Sequence, residues 1–284
     1  MRRIFLPILL AVTASCSTSR LAVPEQFSSQ ATRYPVKGAK VQHINQHLSF
    51  GNYTTSRIKR GWNLASGVKY SNSWISPQEV LLNMHGITSM TERNNEKSRF
   101  RYTLTNDQHS AEIFCTEIYD SHELKFKALH IPQWTGETST QLNFNYAFSA
   151  AMIPSDTSKL GLWSLLMVSR YDIAADTARR IFDRPYVAEE GYATNGRDTI
   201  RIRSLNLNTF ANKKGKVSKT LLGAKILSGY ELSTADGVIG IIDTMDKALW
   251  IYNEQEEQLK FILSAMGTAI LLKQVENPED KTTI

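Results

Sequence analysis

Cysteine is scarce in this sequence of 284 residues, which contains only two. A fold stapled by several disulfides is therefore excluded, and stability must come from a hydrophobic core. Long apolar runs are also missing, since neither the N-terminal nor the C-terminal one reaches the about 20 residues that a membrane-spanning helix needs.

Several catalytic signatures are missing as well. The sequence has no Gly-rich phosphate loop between a strand and a helix, no HExxH zinc motif and no G-x-S-x-G nucleophile elbow. This set of absences predicts no cofactor and favours a non-catalytic protein.

Charge of one sign is not concentrated anywhere. Lys and Arg number 33 against 27 Asp and Glu, so the excess of positive charge is modest. The densest basic segment, Asn212–Lys219, contains Gly and Ser and lacks interleaved aromatic residues. That composition is typical of a solvated loop, so we expect no nucleic-acid partner.

The first residues have the three zones of an export signal. Arg2 and Arg3 precede an apolar run from Ile4 to Val12, and small residues continue to Ser15. The run is too short to span a bilayer, so we interpret residues 1–15 as a removable signal peptide.

Two cleavage products remain open at this leader. Thr13 and Ser15 satisfy an ordinary small-x-small site, which would release a soluble secreted protein. The string TASC, which ends at Cys16, resembles the lipobox of bacterial lipoproteins, although Thr13 stands where that family usually has leucine. The resemblance implies that Cys16 carries the lipid and that the protein's partner is the membrane. Because Ser17 is not aspartate, it also implies retention at the outer membrane, facing the periplasm.

The chain after the leader divides into two parts by composition. Residues 16–37 are rich in Ser, Thr, Gln and Pro, which predicts a flexible tether. No second linker is visible, so residues 38–284 are expected to form a single β-rich domain.

Alternating hydrophobicity dominates that domain. The segment QLNFNYAF, residues 141–148, puts its apolar side chains on one face of a strand. Asn195-Gly196 and Asp236-Gly237 lie between extended runs and predict tight hairpins. The fold class is therefore mainly β, an antiparallel meander forming a barrel or a sandwich.

Two helices are expected. A short one is predicted over residues 76–86, and a longer one starts at a capping pair, Asn253 and Glu256, and runs to about Lys273. Phe261 to Leu272 carries no charge on any face of this second helix. Because a helix lying on a sheet would keep a polar stripe, we expect strands to enclose it.

Hairpins around an Asp-Gly turn followed by an apolar terminal helix resemble the tubby-like barrels, the group that includes scramblase-like and LURP-one-related domains. The resemblance covers about residues 225–275 and rests on this pattern rather than on a diagnostic motif. It implies strands closed around a central helix and implies no binding residues.

Candidate site residues are few. His43 and His47 are four residues apart and could share a metal, but a third ligand is missing, so two surface histidines are the alternative. Trp134 lies in a turn-rich segment where it could stack on a ligand. Cys115 lies among β-formers and is expected to be a buried core residue.

Two classes of function follow. The first is a lipid-anchored envelope protein that binds a protein, lipid or glycan partner or serves envelope structure. The alternative is an anchored hydrolase that acts on a glycan or another envelope polymer, with catalytic groups that converge only in the folded chain.

Overall fold

Antiparallel strands form a β-barrel in the computed structural model of the chain, which describes residues 20–39, 45–61, 64–70, 87–128, 137–172, 188–212, 217–219 and 226–273. Their bounds are β1 (Arg20–Leu21), β2 (Ala31–Pro35), β3 (Ser49–Phe50), β4 (Tyr53–Thr55), β5 (Lys59–Arg60), β6 (Leu64–Tyr70), β7 (Ile87–Thr105), β8 (Ser110–Ala128), β9 (Glu137–Pro154), β10 (Trp163–Asp172), β11 (Ala188–Thr194), β12 (Thr199–Leu207), β13 (Thr209–Ala211), β14 (Val217–Lys219), β15 (Ile226–Thr234), β16 (Gly237–Asp243) and β17 (Ala248–Tyr252). The helices are α1 (Glu25–Ser28), α2 (Thr157–Leu160) and α3 (Glu257–Leu271).

Twelve of these strands make the barrel wall. They hydrogen-bond side by side in the order β2-β17-β16-β15-β12-β11-β10-β9-β8-β7-β4-β3, while β5 and β6 also pair with β7. The two ends of this path meet at Lys37 and Ser49, whose backbone N–H groups donate to each other's carbonyl oxygens at 3.0 and 3.2 Å. The wall is thus nearly closed, and this closure protects the edges that an open sheet would expose.

Period-two alternation builds the wall, as the sequence predicts. On β8, Ala111, Ile113 and Cys115 are buried, whereas Glu112 and Phe114 between them are exposed. The hairpins at Asn195-Gly196 and Asp236-Gly237 are confirmed, and both glycines have positive φ angles, 89° and 133°. The mainly β, antiparallel fold class is confirmed.

Helix α3 lies inside the wall. Every residue from Phe261 to Leu271 is buried, including the polar Ser264 and Thr268. The Tyr102 hydroxyl lies 2.8 Å from the Thr268 hydroxyl and so ties the middle of the helix to β7. The prediction that strands enclose this helix is confirmed.

A close approach of α3 to the wall occurs at Gly267. A Cβ atom at this position would lie 2.5 Å from the Leu249 side chain on β17. A side chain there would have to displace a buried leucine, so the absence of a Cβ lets the helix and β17 pack together.

The N-terminal segment corrects one prediction. Residues 20–37, predicted to belong to a flexible tether, include β1, α1 and β2, and β2 pairs with β17 over five residues. Phe27 in α1 also stacks against Tyr252. Local composition did not reveal this strand because its hydrogen-bond partners lie more than two hundred residues along the chain. Residues 16–19 lie outside the described part.

The capping pair predicted for the C-terminal helix is also wrong. The helix begins at Glu257, its N-cap Glu256 makes no side-chain capping hydrogen bond, and the Asn253 side chain instead accepts a hydrogen bond from Thr32 on β2 at 2.6 Å. The helix predicted over residues 76–86 lies outside the described residues.

Candidate functional site

Polar residues cross the inside of the barrel beyond the C-terminal end of α3. Tyr119, Tyr146, Ser169 and Glu189 are successive register partners on β8, β9, β10 and β11. All four are at most 5% exposed. These four side chains point inward, in phase with the buried apolar residues of the same strands, so the strands of the wall bring polar groups into the interior.

Lys273 lies just past the end of α3 and is 6% exposed. Its Nζ donates to Glu189 Oε1 at 2.6 Å and to the Tyr230 hydroxyl at 2.9 Å. The Tyr230 hydroxyl in turn donates to Glu189 Oε2. The lysine, carboxylate and phenol thus form a closed triangle that links the helix end to β11 and β15.

Aromatic faces surround the same ammonium group. Lys273 Nζ lies 4.8 Å from the ring centroid of Tyr230, 5.2 Å from that of Tyr146 and 5.9 Å from that of Phe148. Cation–π attraction is strongest when the cation is removed from water, as it is here. The rings therefore help to compensate the desolvation of the charge.

A second buried carboxylate lies beside this triangle. The Tyr146 hydroxyl donates to Glu117 Oε2 at 3.2 Å, and Glu117 is 1% exposed. Burial raises the pKa values of Tyr146 and Tyr230 well above the ordinary range, and the neighbouring glutamates raise them further. Both phenols therefore keep their protons and act as hydrogen-bond donors. We call Lys273, Glu189, Tyr230, Tyr146 and Glu117 the interior polar cluster.

The groups of this cluster are suited to a structural role and not to catalysis. Its ammonium and carboxylate groups are buried and paired, so they hold the end of α3 against the wall rather than offering a reactive group to solvent. Burying an ion pair costs desolvation energy that good geometry must offset, whereas breaking one is strongly destabilising.

A groove of about 620 Å³ lies near the other end of α3. We call it the rim groove, because it opens where the β9–β10, β11–β12 and β15–β16 connections meet the start of the helix. Buried apolar side chains that line it are Leu160, Trp163, Ile200 and Ile262. The Trp163 indole N–H donates to the Leu160 carbonyl at 2.9 Å, which fixes the ring.

Polar side chains surround this apolar lining. Those that are exposed are Lys159, Arg197, Asp198, Thr199, Asp236, Glu256 and Gln258. Asn195 shapes the rim, because its Oδ1 accepts the backbone N–H groups of Arg197 and Asp198 at 2.9 and 2.8 Å. A concave, partly apolar surface with a few polar groups around it is the usual form of a binding site, and its size is in the usual range.

Of the site residues singled out from the sequence, only His47 lies in the described part of the chain. Cys16, His43 and Trp134 lie outside the described residues. His47 is exposed, and its Nδ1 lies 3.3 Å from the Asn45 carbonyl oxygen. Among the residues that the structure describes, no group of three His, Cys, Asp or Glu side chains is arranged to hold a metal ion.

Cys115 is buried, as the sequence predicts, at 3% exposure inside the wall. Burial raises the pKa of its thiol well above the usual value, and the nearby carboxylate of Glu117 adds to this effect. A thiol that stays protonated is a poor nucleophile, so Cys115 behaves as a small core residue.

Sequence reasoning missed the interior polar cluster and the rim groove. Strand parity could have indicated Glu117, because it continues the alternation that buries Ile113 and Cys115. Nothing local distinguishes Glu189 from its exposed neighbour Glu190 or pairs it with Lys273, 84 residues along the chain.

None of the helices in the described part of the chain combines the length and hydrophobicity that a membrane span requires. Comparison of the chain with protein-family models, with curated proteins and with solved structures gave no match.

Proposed function

We propose that this chain is a lipid-anchored binding protein of the bacterial cell envelope, attached through Cys16 to the outer membrane and facing the periplasm. The leader and the TASC string support the anchor. Two or three acyl chains hold a protein on a bilayer essentially permanently, because each buried methylene contributes about 0.8 kcal/mol.

The observation that carries the binding role is the rim groove. Since α3 fills the middle of the barrel with buried side chains, a ligand is bound at the surface and not within the wall. The rim groove offers apolar area for affinity and an exposed polar rim for selectivity, which suits a protein, lipid or glycan partner.

In vivo photo-crosslinking tests this role. A photo-reactive amino acid placed at Arg197, on the groove, should give a discrete adduct, whereas the same amino acid at Asp107 should not. Asp107 is a matched control because it is exposed in the β7–β8 turn and does not line the groove. Equal labelling at the two positions, or none at Arg197, would contradict a binding role for the groove.

Fractionation tests the anchor separately. The Cys16→Ala variant should move to the soluble periplasm or remain unprocessed, because no acyl group can be attached. Normal processing with tight membrane association in this variant would remove the lipoprotein assignment and favour another mode of attachment.

The alternative of an anchored hydrolase finds less support at the groove. Glycoside hydrolysis uses two carboxyl groups, one of which burial keeps protonated as the general acid. The carboxyl-bearing residues of the groove, Asp198, Asp236 and Glu256, are all exposed. Release of soluble fragments from purified cell-wall glycan by the protein would favour the hydrolase over the binding protein.

The relationship to tubby-like barrels stays a proposal. A barrel wall around a C-terminal helix is the architecture that this resemblance implies, and it supports a shared arrangement of elements but no shared ligand.

A further inference from the structure

Exposed apolar side chains are concentrated on one part of the outer wall. Among the residues whose side-chain exposure the structure describes, seven large apolar ones are exposed, and all but Val217 lie on or directly beside β8, β9, β10 and β11. These six define the outer apolar face: Phe114, Ile118, Ile153, Leu162, Val168 and Tyr192, exposed between 37% and 56%.

Register joins the six into one surface. Ile118, Ala147 and Val168 are successive partners across β8, β9 and β10, and Leu166 pairs with Tyr192 on β11. The side chains between them are small or partly buried, except for the exposed Glu112 and Glu190. The face is therefore continuous and gently convex, following the curve of the wall.

Arginines flank this face on both sides. One register row runs from Arg99 on β7 through Ser149 on β9 to Arg201 on β12, and it contains no acidic residue. Arg101 and Arg203 are exposed next to these two arginines. Two exposed acidic residues also lie in the rows of the face: Glu190 pairs with both Val168 and Arg203, and Glu112 pairs with Ile153.

The first strand begins very close to Cys16 in the sequence. Arg20 already belongs to β1, so the lipid-bearing residue is separated from the fold by four residue steps, which span at most about 14 Å. β1 pairs with β13, which follows β12 after one residue, so the anchor emerges at the C-terminal end of β12, the strand whose N-terminal part carries Arg201 and Arg203. A chain this short keeps the barrel against the surface that holds its lipid.

We propose that the outer apolar face lies on the phospholipid bilayer to which Cys16 is attached. The inference rests on the proposed anchor and goes beyond it, because it assigns the face of the barrel that contacts lipid. The apolar side chains enter the interfacial region, and the flanking arginines bind phosphate oxygens at the headgroup level.

A second copy of the chain fits this face less well. The exposed area of the six side chains is on the order of 500 Å², whereas a stable protein interface buries about 800 Å² on each partner. A bilayer has no such minimum area when an acyl anchor already supplies most of the attachment.

Depth-dependent fluorescence quenching tests the proposal in the full chain as it is processed and anchored. A single cysteine is introduced at Ser149, in the middle of the face, or at Thr32, an exposed residue on β2 on the opposite wall. Each is labelled with an environment-sensitive dye, and quenching by nitroxide lipids is measured in vesicles containing phosphatidylglycerol. The buried Cys115 does not compete for the dye.

The label at Ser149 should lose roughly half of its fluorescence and the label at Thr32 very little. The double variant Ile118→Asp, Val168→Asp should abolish this difference, whereas Val217→Asp, at a valine that is also exposed but lies off the face, should leave it unchanged. Equal quenching at the two labels would overturn the proposal, as would a difference that survives the double variant. Melting curves check that every variant folds.

The mass of the N-terminal peptide shows separately whether Cys16 carries an acyl group. If Cys16 carries no acyl group, the anchor is wrong, and quenching of the same two labels by added vesicles decides whether the face contacts lipid.

Discussion

Removal of the ammonium group of Lys273 is the sharpest perturbation of the interior. In the Lys273→Met variant, Glu189 stays 5% exposed and loses its cationic partner at 2.6 Å, keeping only the hydrogen bond from Tyr230. Breaking a buried pair in this way costs about 3–5 kcal/mol, which is a large part of the stability of a domain.

Thermal and denaturant unfolding measure this loss. We expect a melting temperature lower by roughly 6–20 °C for a domain of this size. Lys260→Met in the same helix is the matched control: its partner Glu257 is 64% exposed, so the change should cost well under about 1 kcal/mol.

The double variant Lys273→Met, Glu189→Gln distinguishes the cost of an unpaired buried charge from the cost of replacing the lysine side chain. Since it leaves no uncompensated charge, it should be more stable than Lys273→Met alone. The view that the buried ion pair stabilises the fold would be refuted by either of two results. The double variant could be no more stable than Lys273→Met, or Lys273→Met could be as stable as the Lys260→Met control.

Two further predictions concern the packing of the wall and the helix. Cys115 should react slowly with a thiol reagent in the native protein even at alkaline pH, because burial raises its pKa, and quickly in denaturant; rapid native labelling would reopen its assignment as a nucleophile. Gly267→Ala, which gains about 1 kcal/mol in an ordinary helix interior, should instead lose about 1–3 kcal/mol, since the new methyl group meets Leu249. Leu249→Ala is itself destabilising, but Gly267→Ala should cost less in a Leu249→Ala background than in the parent. A Gly267→Ala protein more stable than the parent would contradict the close approach.

Local patterns predicted much of the fold. Strand alternation around Ile113, the turn at Asn195-Gly196 and the apolar run of α3 are properties of neighbouring residues, and each led to the observed element. Enclosure of α3 followed from the absence of a polar stripe on a long apolar helix.

Non-local features were not predictable in the same way. β2 is a barrel strand because β17 supplies its hydrogen bonds, and Asn253 is drawn away from the helix cap because Thr32 of β2 donates to its side chain. The interior polar cluster likewise depends on which strands become neighbours. Charge complementarity between Glu189 and Lys273 arises only once the wall has closed around the helix.

Strands surround α3 on every side, and a charge placed at Ser264 probes this enclosure. Ser264 is the position at which a helix resting on a sheet would tolerate a charge, yet here it is fully buried. Ser264→Lys should therefore cost several kcal/mol and unfold the domain or lower its melting temperature severely, as should Lys at Leu263, Met266, Ala269 or Ile270. Gln258→Lys, exposed in the first turn, should have almost no effect. A Ser264→Lys protein that melts with the Gln258→Lys control would contradict the enclosed helix.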